Sequence, residues 1–177
     1  MRALVVYESM FGNTREIAEA VAAGLTGTCE EVVVAAVGQV TSEQVAAADL
    51  LVVGGPTHAH GMSSAQSRKG APDYVAKSHG ELALEPGFEG PGLRDWFASL
   101  PPGSGPAAAF DTRVHGPELL TGHASKGISD RLRRHGYSVV VDPESFLVGK
   151  ANRLLPGETE RATTWARTVA ASLLAAH

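Results

Sequence analysis

The feature that most limits what this chain can fold into is a fivefold alternation. A short, continuous apolar run is followed each time by a stretch with helical spacing. The runs lie at residues 3–7, 31–37, 49–53, 107–110 and 138–148, the last broken at Asp142-Pro143 into 138–141 and 145–148. Runs apolar at every position read as strands buried on both faces. Between them, Ile17, Val21 and Leu25 recur at four-residue spacing, with Arg15, Glu16 and Glu19 on the other side and Gly27 as a stop. Thr41 and Gln44 form a capping box for a short second helix. Leu93, Trp96, Phe97 and Leu100 mark one face of a third, which makes Trp96 and Phe97 core residues. Ala124, Ile128 and Leu132 mark a fourth that Gly136 ends, and Ala162, Trp165, Val169 and Leu173 a fifth. Parallel strands need helical crossovers, so this order predicts a three-layer α/β fold: a five-stranded parallel sheet with helices on both faces.

The 177 residues predict one domain, 1–177, with an extended, irregular loop insertion at about 57–91 that holds a helical piece before Pro72. At 44% hydrophobic the chain can fill a core, and a net charge of −4 argues against a nucleic-acid surface. A single cysteine, Cys29, excludes an internal disulfide; it precedes a valine-rich run, and nothing nearby would lower its pKa as a nucleophile needs. The chain opens directly on a strand, and no apolar run reaches the length of a membrane span. The expectation is a cytoplasmic protein that meets neither membrane nor nucleic acid.

The chemistry concentrates in the first strand–helix turn, Ser9-Met10-Phe11-Gly12-Asn13-Thr14. Gly12 allows close approach of a ligand, and Ser9 and Thr14 offer hydroxyl donors. The helix that follows points its unpaired N–H groups and positive dipole end at the turn. Such a turn suits a phosphate dianion without any lysine or arginine, and these six residues equally suit an ordinary N-capped turn. Related nucleotide sites need other residues. A P-loop needs a lysine after the glycine, and a dinucleotide fold needs G-x-G-x-x-G and an acid ending the second strand; neither is present. A receiver domain would carry aspartate where Gly54-Gly55 stands, and a cysteine phosphatase would carry a cysteine and an arginine in the first turn.

Residues 5–14, Val-Val-Tyr-Glu-Ser-Met-Phe-Gly-Asn-Thr, resemble the phosphate-loop signature of flavodoxins. The Ser-Met-aromatic-Gly version is closest to flavodoxin-like quinone reductases of the tryptophan-repressor-binding-protein type. Gly54-Gly55-Pro56-Thr57 is similar to the Gly-x-Pro-Thr turn that opens the second flavin loop, and the broken fifth strand resembles the short-chain flavodoxin arrangement. The resemblance implies strand order 2-1-3-4-5 and flavin mononucleotide (FMN) as cofactor. It implies that Ser9, Met10, Phe11, Gly12, Asn13 and Thr14 hold the phosphate. Pro56, Thr57, His58, Ala59, His60 and Gly61 would line one edge of the isoalloxazine, and Asp111, Thr112, Arg113, His115 and Gly116 the other side. It implies a redox protein, either an electron carrier or an NAD(P)H-linked flavin or quinone reductase. A redox partner protein, a small acceptor, NAD(P)H and a second copy of the chain are the partners it leaves open.

The chain departs from that pattern in two places. Phe11 stands where flavodoxins usually carry a hydroxyl, and the second and third loops contain no Tyr or Trp to stack on the ring. His58, His60 and His115 are the substitutes those loops offer, and an open ring face would favour an enzyme admitting a second molecule. His58-x-His60 lacks a cysteine or carboxylate at metal-ligand spacing, so no metal is expected. Lys126, Arg131, Arg133 and Arg134 read as a solvated helix face, with a docking role as the alternative. Arg68 and Lys69 are candidates for a nucleotide phosphate. The competing reading is a cofactor-free module that binds or assembles through residues 57–91.

Overall fold

The computed structural model of the chain describes residues 1–175. In chain order its elements are β1 (Arg2–Tyr7), α1 (Asn13–Leu25), β2 (Glu31–Ala36), a 3-10 turn (Val37–Gln39), α2 (Ser42–Ala47), β3 (Leu50–His58), β4 (Gly61–Met62), α3 (Ala65–Arg68) and α4 (Ala71–Lys77). There follow α5 (Leu93–Ser99), β5 (Pro106–Val114), α6 (Glu118–Thr121), α7 (Ala124–Arg134), β6 (Ser138–Val139), β7 (Glu144–Val148) and α8 (Glu158–Ala175). The sheet runs β2-β1-β3-β5 and then β6 and β7, both parallel to β5. β6 pairs with the first residues of β5 and β7 with Phe110–Val114, so these two pieces together fill the fifth position. The order is the expected one, with the fifth strand split at Asp142-Pro143 and a short antiparallel hairpin strand, β4, added to β3.

Helices α1 and α8 cover one face, where Trp165 of α8 meets Phe110 and Phe146, the three rings edge to face at 6.1 Å. Helices α5 and α7 cover the other, burying Leu93, Trp96, Phe97, Ile128 and Leu132. The capping box of α2 is formed as read: Gln44 N–H donates to Thr41 Oγ1, and Thr41 N–H to Gln44 Oε1. Cys29 is buried, and burial pushes its thiol pKa up, away from thiolate chemistry.

Three elements differ from the sequence expectation. Strand β3 does not turn at Gly54-Gly55-Pro56 but runs on to His58. The Gly54 carbonyl accepts from Glu8 N–H, so by alternation Pro56 points toward the side where β1 has already ended, and its missing N–H costs the ladder nothing. The glycines serve packing: a Cβ on Gly54 would overlap the Phe110 ring, and one on Gly55 would crowd Leu93. Strand β5 likewise extends past Phe110 to Val114, because β7 pairs with it there; Asp111, Thr112 and Arg113 are strand residues, not a loop. The insertion is irregular only over residues 78–91, and its expected helical piece before Pro72 is α3. It holds β4, α3 and α4, and Pro72 sits in the first turn of α4, where a proline needs no N–H partner.

Helices α1 and α8 pack so closely that a Cβ on Gly24 would overlap the Thr163 carbonyl oxygen and crowd Ala166. Alanine is intrinsically better in a helix than glycine by about 1 kcal/mol. Overpacking a tight contact costs about 1–3 kcal/mol, which outweighs that gain here. Gly24→Ala is therefore expected to lower the urea midpoint; a raised midpoint would show that the two helices separate freely.

Candidate functional site

At the carboxyl ends of the strands, where the chain order reverses between β1 and β3, a cavity of about 780 Å³ opens. One wall is the turn into α1, represented by Ser9, Met10, Phe11, Asn13 and Thr14. Gly12 is its pivot, with φ +95°, in the left-handed region that only glycine adopts freely. The N–H of Gly12 donates to Ser9 Oγ, which leaves the Ser9 hydroxyl proton free to donate elsewhere. Among the described residues, the N–H groups of Phe11, Asn13, Thr14 and Arg15 meet no acceptor, and α1 has no side-chain cap. Thr14 Oγ1 and Thr112 Oγ1 lie 2.7 Å apart, buried; one donates to the other, so one of the two hydroxyl protons remains available. Nothing in this turn supplies a cation: Arg15 is held by Glu85 at 2.9 Å and Glu19 at 3.0 Å.

Two details correct the residue-level expectation. The Asn13 amide is spent on the chain itself, donating to Asn152 O at 2.9 Å and Asn152 Oδ1 at 3.1 Å, so only its main-chain N–H is left for a ligand. Gly12 does not line the cavity, and a Cβ there would lie 3.2 Å from Glu85 Oε1, on the side where Arg15 also sits. Glycine is required at this position by its backbone angle, not by lack of room in the cradle.

The opposing walls come from β3 and β5. Pro56, Thr57, His58 and Ala59 line the cavity, and so do Thr112, Arg113 and Val114. His60 and Gly61 do not: β3 and β4 close a two-residue hairpin at Ala59 and His60, both with positive φ, and His60 turns back to bridge Gly122. Such a turn normally takes Asn or Gly, so Ala59 and His60 hold it under local strain. His115 and Gly116 also fall outside the wall; His115 N–H donates to the Val148 carbonyl and Gly116 O accepts from Arg113. Of the three candidate histidines, His58 alone faces the cavity. Burial lowers its pKa, opposed by nearby Glu8 and reinforced by Arg68, so the imidazole is neutral at pH 7.

Residues that sequence reasoning missed complete the enclosure. The β7–α8 connection contributes Gly149, Lys150 and Asn152, and the insertion contributes Ala71, Tyr74 and Lys77. The first group ends a strand of the parallel sheet, where ligand loops are expected, and that was its only signal. The second carried none. Arg68 is not available to a nucleotide phosphate: it is buried, 3.6 Å from Glu8 Oε1, and donates to Ser63 Oγ and Asp95 Oδ2. Lys69 beside it is exposed. On α7, Arg133 pairs with Asp130, and Arg131 has its pKa lowered by burial and by Arg94 and Arg134.

The segment after β5 is pinned by a chain of polar contacts. Glu118 reaches Arg113 at 3.6 Å and His123 Nε2 at 3.2 Å, and His123 Nδ1 shares a 3.1 Å hydrogen bond with Ser145 Oγ. Asp111 lies beneath, fully buried. Its Oδ2 accepts from Ser125 N–H in the first turn of α7, while Oδ1 has no partner among the described residues. It caps a helix instead of lining the cavity. Burial raises its pKa, against the lowering effect of the Ser125 and Ser145 donors and of His123.

A family model described as a flavodoxin domain matches residues 4–77. Among solved structures, a flavodoxin from the domain Archaea is similar at 21% identity and TM-score 0.66, covering 98% of this chain and 99% of its own. Flavodoxin 2 from Bacillus cereus is similar at 20% identity and TM-score 0.66, with 98% and 99% covered. A flavodoxin, WrbA-like protein from Agrobacterium tumefaciens is similar at 20% identity and TM-score 0.58, with 98% of both chains covered. No curated protein matches the sequence. Among the described residues, no helix is long and apolar enough to cross a membrane, and no three His, Cys, Asp or Glu side chains gather as a metal site.

The buried carboxyl of Asp111 yields a pH prediction. Its folded pKa is raised, so the unfolded chain releases this proton first, and stability falls as pH climbs from the ordinary value of about 3.9 through the folded pKa. Asp111→Asn removes that term whatever constant offset the amide adds. The stability difference, variant minus native, is expected to grow in the variant's favour between pH 4 and neutrality in urea titrations. A difference constant with pH would mean that the carboxyl titrates as it does in water.

Proposed function

We propose, for a chain that is flavodoxin-like in fold and matches the flavodoxin domain over residues 4–77, that it is an FMN-binding redox protein. One observation carries the reading: the main-chain N–H groups of Phe11, Asn13, Thr14 and Arg15, at the opening of a thirteen-residue helix, meet no acceptor among the described residues. Those amides, the Ser9 hydroxyl and the free proton of the Thr14–Thr112 pair make a donor set for a terminal phosphate. Pro56–Ala59 and Thr112–Val114 stand on two sides of the remaining volume, where a flat ring fits. Bound there, FMN supplies one- and two-electron chemistry; the chain binds it, orients it and excludes water. Neutral His58 is the titratable side chain of those two walls that can hold or pass a proton.

The reading calls for an electron donor and an acceptor. A nicotinamide nucleotide with a quinone would make the chain a reductase, and a partner protein would make it a carrier. A cavity of about 780 Å³ lies in the upper part of the range for single-ligand sites, which favours admission of a second small molecule beside the flavin. Turnover of NAD(P)H with a quinone by flavin-loaded protein, against exchange with a protein partner alone, separates the two.

The direct test is titration of added FMN, followed by its fluorescence, with riboflavin as control. The native chain is expected to quench FMN and to bind riboflavin far more weakly, because riboflavin lacks the phosphate. Gly12→Asp forces a side chain into a left-handed angle and sets a carboxylate beside Glu85, and is expected to cost at least about tenfold in FMN affinity. A native chain that leaves FMN fully fluorescent is a cofactor-free module, and the redox reading then fails.

A further inference from the structure

The insertion crosses the mouth of the cavity as a strap fixed at both ends to the same turn. At its start, Ser63 Oγ donates to the Glu8 carboxylate and Arg68 pairs with it, all three side chains buried. At its end, Glu85 N–H donates to Met10 O at 2.8 Å while its carboxylate holds Arg15. Between these anchors α4 buries Ala71 alone. Its one aromatic, Tyr74, lines the cavity yet is 67% exposed, and meets Phe11 edge to face at 6.3 Å and 62°. A large ring that lines a cavity and is itself mostly uncovered offers flat apolar area to whatever enters there. The β3 and β5 walls bring no Phe, Tyr or Trp: their contributors are Pro56–Ala59, with the smaller imidazole of His58, and Thr112–Val114.

We infer that Tyr74 supplies the aromatic face on which a bound isoalloxazine stacks, so that the strap takes over a task the loops after β3 and β5 leave undone. The inference rests on the FMN reading above and deepens it. The phenol is two-faced for this purpose: its ring offers flat apolar area and its hydroxyl stays in water. Phe11, fixed in the turn, braces Tyr74 edge-on and leaves a face of it free. Because both strap anchors engage the phosphate turn, loading of that turn and placement of Tyr74 are mechanically linked.

The test is the dissociation constant for FMN, with the visible absorption band of the bound flavin, in the native chain and three variants. Stacking of a flat heteroaromatic ring on a side chain is sensitive to truncation, and Tyr74→Ala is expected to weaken FMN about 5- to 100-fold and to return the band toward that of free flavin. Tyr74→Phe keeps the ring and is expected to keep both affinity and band shape. Tyr74→Leu keeps apolar bulk without a ring and is expected to behave like alanine. Tyr74 is exposed, and unchanged far-ultraviolet circular dichroism verifies that each variant folds. Native binding with equal affinity in Tyr74→Ala overturns the stacking role alone. Native failure to bind FMN overturns the redox reading, and this inference with it. Leucine as good as tyrosine overturns stacking in favour of simple apolar cover.

Discussion

Much of the site's geometry depends on one buried carboxylate, Glu8, at the end of β1. Its Oε2 accepts from Leu93 N–H at 2.8 Å, and its Oε1 receives the Ser63 hydroxyl and lies 3.6 Å from the Arg68 guanidinium. Three segments thereby meet at one point: the entry to the phosphate turn, the start of the strap and the first turn of α5. The fit is tight, since a Cβ on Gly92 would overlap the Arg68 guanidinium. A buried ion pair is weak evidence for stability, because desolvation consumes much of the attraction. Its consequence is geometric. With either partner gone, the other is left buried and uncompensated, at a cost of about 3–5 kcal/mol, so the three segments hold one arrangement.

The donor chemistry of the turn follows from what is withheld from it. Arg15, the cation next to the turn in sequence, faces Glu85 and Glu19, and the Asn13 amide is committed to Asn152. Lys77, Arg113 and Lys150 line the cavity from other elements; what remains within the turn are neutral main-chain amides, hydroxyls and the dipole of α1. Such groups are fixed by the fold before any ligand arrives, so binding pays little to order them. The Asn13–Asn152 contact also makes the β7–α8 connection part of the same wall, although 139 residues separate the two asparagines.

The fold was largely legible in the sequence, because its signals are local. The spacing of Ile17, Val21 and Leu25, the Thr41–Gln44 box, the break at Asp142-Pro143 and the core periodicity of Trp96 and Phe97 each report on neighbours within a few residues. The cavity wall was legible at the strand ends, since Ser9, Met10, Phe11, Asn13 and Thr14, Pro56–Ala59, and Thr112 and Arg113 line it. Gly54-Gly55-Pro56 read as a turn, yet both glycines answer to side chains far along the chain, Phe110 and Leu93. Asp111-Thr112-Arg113 read as a polar loop because the partners that let polar groups lie buried in a strand, Ser125, Thr14 and Thr121, are tertiary. Arg68 read as an exposed cation because its partner, Glu8, is sixty residues upstream, just after β1.

The strap shows why an insertion without periodicity still carries information. Its ends are written in charged and hydroxyl residues, Ser63, Arg68 and Glu85, that look like surface composition until their partners in the phosphate turn are known. Its middle bears little burial of its own, so Tyr74 is held chiefly by its edge-to-face contact with Phe11 beside the cavity. A segment anchored at both ends and loosely packed between them has the low local stability from which covering elements are drawn. The sheet and its helices thus fix where the uncapped start of α1 meets the cavity. One further wall of that cavity comes from residues 67–82, within the part of the chain with the least secondary-structure signal.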